Sequence, residues 1–165
     1  MTLLSLFCMT CLITSGVVNA GPAKGSEAEK SIEYLSNELR KLLQDEMKAI
    51  ESAMKEIVSA NANGDMKKIA TLAGKMEDSF ILKKKLTKKQ KHELHSKLPD
   101  DFIQRDTGFH YFASMLEHVA ENNKVELIGF YYSKLLESCS GCHAEYAKHK
   151  FPMFDKNVKT HEHHH

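Results

Sequence analysis

Near the end of the chain two cysteines and a histidine stand together as Cys139-Ser140-Gly141-Cys142-His143. C-x-x-C-H is the spacing of covalent haem attachment: each thiol can add to a porphyrin vinyl group as a thioether, and the adjacent imidazole can bind the iron. On an α-helix, positions i, i+3 and i+4 share one face, so the three side chains would meet a single flat ligand. Two other chemistries use similar residues. A C-x-x-C redox pair calls for a βαβ setting, which the pattern does not suggest. A zinc site needs a second pair of ligands, and only the histidines could supply it. The motif therefore predicts one haem c per chain, held by Cys139 and Cys142, with His143 as proximal iron ligand.

The opening residues fit that chemistry. Residues 3–18 are mostly apolar, and Val18-Asn19-Ala20 ahead of Gly21 is a small-x-small cleavage pattern, so 1–20 reads as a signal peptide. The n-region carries no Lys or Arg. The stretch is short for a membrane span and is followed by a polar leader, 21–30, so no span is expected after cleavage. Cys8 and Cys11 would leave with the signal, and the mature chain would then hold only the motif cysteines, with no disulfide framework. A periplasmic location follows, since covalent haem attachment takes place outside the bacterial inner membrane.

About 145 residues would remain, enough for one domain with a real core. Basic and acidic side chains number 23 and 22, and the net charge of +1 gives no case for nucleic acid binding. There is no Trp and only three Pro, while Ala, Lys, Glu, Leu and Met abound, a helical composition. Apolar residues recur at three and four along four stretches. The first runs from about Ser31 to Asn61 through Leu35, Leu39, Leu42, Leu43, Met47, Ile50, Met54 and Ile57, and stops at Asn63-Gly64-Asp65. The second follows Asp65 through Ile69, Leu72, Met76 and Phe80. A lysine-rich segment and a loop through Leu98-Pro99-Asp100-Asp101 lead to a third, about Thr107 to Glu121. The fourth spans about Val125 to Lys148 and carries Ile128, Tyr131, Leu135 and both motif cysteines on one face. Short connections make helix neighbours antiparallel. The expected fold is an all-α, antiparallel four-helix bundle over 31–151, with the haem on the last helix and a His-rich tail over 152–165.

These residues resemble the class II cytochromes c, the cytochrome c′ type, over roughly Ser31 to Phe151. The most specific stretch is Leu116 through Tyr146: a Leu-x-x-x-Ala helix end, a short polar turn, then an apolar helix running into Cys-x-x-Cys-His-x-x-Tyr. Met47-Lys48-Ala49-Ile50 and Met54-Lys55-Glu56-Ile57 ahead of Gly64-Asp65 are also similar. Two departures stand out: Ala147 follows the motif's aromatic residue where the family often has Arg, and the extension from Phe151 to His165 is long. The resemblance implies an electron carrier that transforms no substrate, not an enzyme. It also implies a choice at the sixth iron position. In one branch a first-helix Met supplies sulfur and raises the potential. Met47 stands at the family's distal position and is expected on the inner face of the first helix, kept dry by Leu43, Ile50 and Met54; Met54 itself is the alternative ligand. In the other branch the iron is five-coordinate and binds small gases such as NO or CO.

Several residues have two readings. Tyr131, Leu135 and Phe112 are expected in the apolar surround of a haem buried between the first and last helices. Tyr131 and Tyr132 could instead pack between two copies of the chain, which makes a homodimer a candidate. His110 and His118 could ligate a haem, though a surface or partly buried role is the commoner one. The lysines from Lys83 to Lys91 could dock an acidic redox partner protein or simply be solvated. The tail His161-Glu162-His163-His164-His165 could bind a metal ion.

Overall fold

Hydrogen-bonding side chains mark where most of the helices begin. The computed structural model describes residues 30–79 and 86–154. The predicted signal peptide, most of the leader, Phe80, Ile81, Lys83 to Lys85 and the histidine tail lie outside these. Ser31 accepts from the Glu33 N–H and starts a 3-10 turn, Ile32–Tyr34. Ser36 accepts from the Leu39 N–H and starts α1, Asn37–Ala62. The first helix thus begins later than its stripe suggests, because two serine caps divide that stripe into a turn and a helix. Asp65 accepts from the Lys68 N–H and caps α2, Met66–Asp78.

The segment expected to be a loop contains a further helix. Thr87 and Gln90 form a reciprocal capping box that starts α3, Lys88–Lys97. This short helix is polar almost all round. It is held by buried Leu94 and by Glu93, whose Oε1 accepts from the Ser36 N–H at 2.5 Å. The next helix, α4, runs Asp100–Glu121 and so starts well before Thr107. Pro99 precedes it, and Asp100 and Asp101 suit the positive end of the helix dipole. The last helix, α5, spans Val125–Tyr146, and a 3-10 turn, Pro152–Phe154, follows.

α1, α2, α4 and α5 make the antiparallel bundle, with the broadest contact between α2 and α4. Both helix hairpins close by the same device. After α1, Asp65 N–H reaches Ala60 C=O at 2.9 Å and Gly64 N–H reaches Asn61 C=O at 3.1 Å. After α4, Lys124 N–H reaches Val119 C=O at 2.9 Å and Asn123 N–H reaches Ala120 C=O at 3.1 Å. These are paired Schellman turns, and each needs a left-handed residue: Gly64 at φ 67° and Asn123 at φ 53°.

The core has two parts. Around both hairpin turns Ile50, Ile57, Ile69, Met76, Phe109, Leu116, Val119, Ile128 and Leu135 form the larger cluster. At the opposite end Leu35, Leu39, Leu94, Leu98 and Phe102 form the smaller one. Where one part gives way to the other along α1 and α4 stand three buried polar side chains, Glu46, Asp106 and His110.

Candidate functional site

Cys139, Cys142 and His143 are half-buried on the second half of α5. The two thiols bridge the two parts of the core. Cys139 packs against the larger cluster, together with Phe112, Tyr131 and Tyr132. Cys142 packs against the smaller one, with Leu42, Leu43, Ile103 and Tyr146. Both cysteines are free. Burial pushes the Cys139 thiol up, and burial with the nearby Asp106 carboxylate pushes Cys142 up to about 11, so both are neutral thiols at ordinary pH. Burial lowers the pKa of His143 and keeps its imidazole neutral, the form that can ligate a metal. Two half-buried thiols and a neutral imidazole on one helix, set against apolar side chains, fit a covalently attached haem.

α5 is tied to its neighbours above and below the motif. Tyr132 Oη donates to Met54 C=O of α1 at 3.2 Å. Tyr146 Oη donates to Asp101 Oδ2 of α4 at 2.7 Å, and its ring meets Phe102 edge-on with centroids 5.2 Å apart. Arg105 Nε donates to the same Asp101 oxygen at 2.8 Å. Arg105 also reaches the motif: its Nη1 lies 3.6 Å from where a Cβ would stand at Gly141. A guanidinium therefore attends the motif from α4, although position 147 carries none.

Of the other expected site residues, Leu135 is fully buried and Phe112 and Tyr131 are partly buried against the cluster that also holds Cys139. Met47 departs from its expected setting. It is 36% exposed, at the edge of the inner face, and the inward position on that turn belongs to Glu46, 2% exposed. Ile50 and Met54 are buried as the dry face requires. The Tyr132–Met54 bond nevertheless sets a level between two antiparallel helices. One step of seven residues back along α1 leads to Met47, and the same step forward along α5 leads to Cys139. Met47 and the motif thus share a level of the bundle.

His110 also departs from its expected place, being 2% exposed rather than at or near the surface. Its Nδ1–H donates to Met76 C=O at 2.9 Å. Its Nε2 faces Glu46 Oε1 at 3.4 Å and Asp106 Oδ1 at 3.7 Å. Burial alone would depress its pKa, but Asp106 and Glu46 outweigh burial and push it up to about 9, so it is an imidazolium at neutral pH. One oxygen of each carboxylate, Glu46 Oε2 and Asp106 Oδ2, makes no hydrogen bond among the described residues. His118 is exposed near Asn122, away from this layer. The spacing of Asp106 and His110, one helical turn apart, was the available signal for the pair; Glu46 comes from another helix and has no such signature.

A family model described as Cytochrome C′ matches residues 31–147 of the chain. No curated protein and no solved structure matches it.

Proposed function

The chain belongs to the cytochrome c′ family, and from that premise we propose that it is an exported electron carrier with one haem c per chain. Cys139 and Cys142 would hold the haem through thioethers, His143 would ligate its iron, and Met47 would supply the sixth ligand. When bound, the haem supplies a one-electron couple whose potential a thioether ligand raises. The protein's share is burial, ligation and orientation. Leu42, Leu43 and Ile103 beside Cys142, and Phe112, Tyr131 and Leu135 on the side of Cys139, exclude water from the two thioether positions. His143 is presented as a neutral base from the same helix turn.

The observation that carries this reading is the common level of Met47 and Cys139 across α1 and α5. One observation favours a second reading: Met47 stands 36% exposed and unclamped by core packing, which suits a five-coordinate, gas-binding iron. An optical spectrum of the purified protein separates the two. A low-spin spectrum in the wild type, turned high-spin and opened to carbon monoxide by Met47→Ala, supports the carrier. A wild type already high-spin and reactive with carbon monoxide supports the gas binder. Haem that extracts freely into acid acetone, or survives Cys139→Ala/Cys142→Ala, overturns the attachment itself.

The exposed lysines of α3, Lys88, Lys89 and Lys91, extend the proposal to an acidic redox partner steered to that end of the bundle. A periplasmic location rests on the signal peptide read at 1–20 and the chemistry of attachment. No helix among the described residues is long and apolar enough to cross a membrane. Tyr131 and Tyr132 are partly buried against the larger cluster, so a homodimer would have only their remaining exposed edges to draw on.

A further inference from the structure

Phe151 lies face to face with His143, with ring centroids 4.2 Å apart and planes 12° from parallel. The backbone explains how a residue beyond α5 comes to lie there. Lys150 N–H and Phe151 N–H both turn back to Ala147 C=O, at 2.9 and 3.0 Å, and this reversal carries Phe151 over the last turn of the helix. The following 3-10 turn secures it from the other side. Phe154 N–H donates to Phe151 C=O at 3.1 Å, and the two rings meet edge-on with centroids 6.5 Å apart.

A histidine that binds a metal usually has its plane fixed by a hydrogen bond from its second ring nitrogen to a carbonyl or carboxylate. Among the described residues the His143 ring makes no such bond, and its ordered contact is the stack on Phe151. An imidazole without an orienting acceptor can still turn about its Cβ–Cγ bond. A parallel ring at van der Waals distance opposes that rotation, because tilting either ring loses contact or forces overlap.

We propose that Phe151 is a positioning residue for His143: the stack fixes the plane of the imidazole and covers one of its faces, so that the axial ligand is presented in a single orientation. This rests on the haem reading above and deepens it, giving the first part of the C-terminal extension a role at the site. Phe151 itself is 40% exposed and lies beyond α5, so its replacement leaves the bundle core untouched.

The test uses the full chain as purified and compares wild type, Phe151→Ala and Phe151→Tyr. The ferric electron paramagnetic resonance signal reports the orientation of the axial imidazole through its g values. Phe151→Ala is expected to shift and broaden the g values and to make acid displacement of the histidine begin at higher pH. Phe151→Tyr, which keeps the ring, is expected to restore both. In parallel, the His143 ring protons should be shifted upfield by the phenyl ring current in wild type and lose that shift in Phe151→Ala. Unchanged g values in Phe151→Ala overturn the proposal, even if the ring-current shift disappears, because the stack would then exist without orienting the ligand. A wild type that carries no haem overturns the haem reading, and the positioning role with it; the absence of any haem signal distinguishes that failure from the first.

Discussion

The two ends of the bundle share α1, α4 and α5 but are closed in different ways, one by α2 and the other by α3. At the hairpin end Ile57, Ile69, Leu116, Val119 and Ile128 are each 3% exposed or less. Alanines at 53, 60, 70, 73, 113 and 120 stand among them and let the helix backbones approach closely. At the motif end the buried residues are Leu35, Leu39, Leu94, Leu98 and Phe102, all large, and an additional helix, α3, is needed to cover them. α5 records the contrast along its own length: Ile128 and Leu135 in its first half are buried, whereas Cys139, Cys142, His143 and Tyr146 in its second half are half-exposed. One end is complete by helix packing alone. The other presents apolar side chains together with two thiols and an imidazole, which suits a bound prosthetic group.

The sharpest break should come at the layer between the ends. His110→Ala leaves Glu46 and Asp106 buried without their cation, an expected loss of about 3–5 kcal/mol in urea unfolding. A loss under about 1 kcal/mol would mean that the buried imidazolium is not what holds this layer together. Next come two truncations of equal chemistry, Leu116→Ala at the hairpin end and Leu39→Ala at the motif end. Each should cost about 2–5 kcal/mol. Only the cost at Leu39 should change when haem attachment is prevented by Cys139→Ala/Cys142→Ala; equal sensitivity at both sites would erase the distinction between the ends.

A gentler test uses pH. His110 is raised from 6.5 to about 9 in the folded chain, so its contribution to stability is fully present below about 6.5 and is lost as pH rises through about 9. Unfolding free energy should therefore fall between pH 7 and 9, and His110→Gln should flatten that fall. A slope identical in both proteins would remove His110 as its source. The smallest effect is expected at the hairpin turn. Gly64→Ala puts a Cβ into open space, so its cost is the left-handed backbone alone, about 1 kcal/mol. It should alter thermal stability without changing the optical spectrum, since the turn lies at the far end from the motif.

The hairpin end was the more legible of the two in the sequence. Gly64 and Asn122-Asn123 announce turns by their chemistry, and the stripes of α1, α2 and α5 follow a helical period that packing then uses. The motif end was read only in part. Cys139, Cys142 and His143 form a local pattern, so their common helix was evident. α3 was not, because its residues are nearly all charged or polar and Leu94 is its single buried one; the Thr87–Gln90 capping box was its remaining signal. The start of α4 was hidden for a similar reason, its first turn being acidic and preceded by Pro99. Glu46 and His110 meet across α1 and α4, and Phe151 reaches His143 through a reversal of the backbone; neither is expressed in any fixed spacing. The inward place assigned to Met47 failed by one residue, because the buried imidazolium draws Glu46 to the interior instead.

The paired Schellman turns also bear on the order in which the chain assembles. Each joins two helices through a loop of only a few residues, so the cost of bringing α1 to α2, or α4 to α5, is small and most early contacts are near in sequence. Two helix hairpins that form quickly and then dock along α2 and α4 would zip away from their turns. Along α5 this direction leads from Ile128 toward Cys142. The thiols lie at the far end of α5 from its nucleating turn, and so they are the part expected to join the bundle last, still open to haem addition while the rest has already closed.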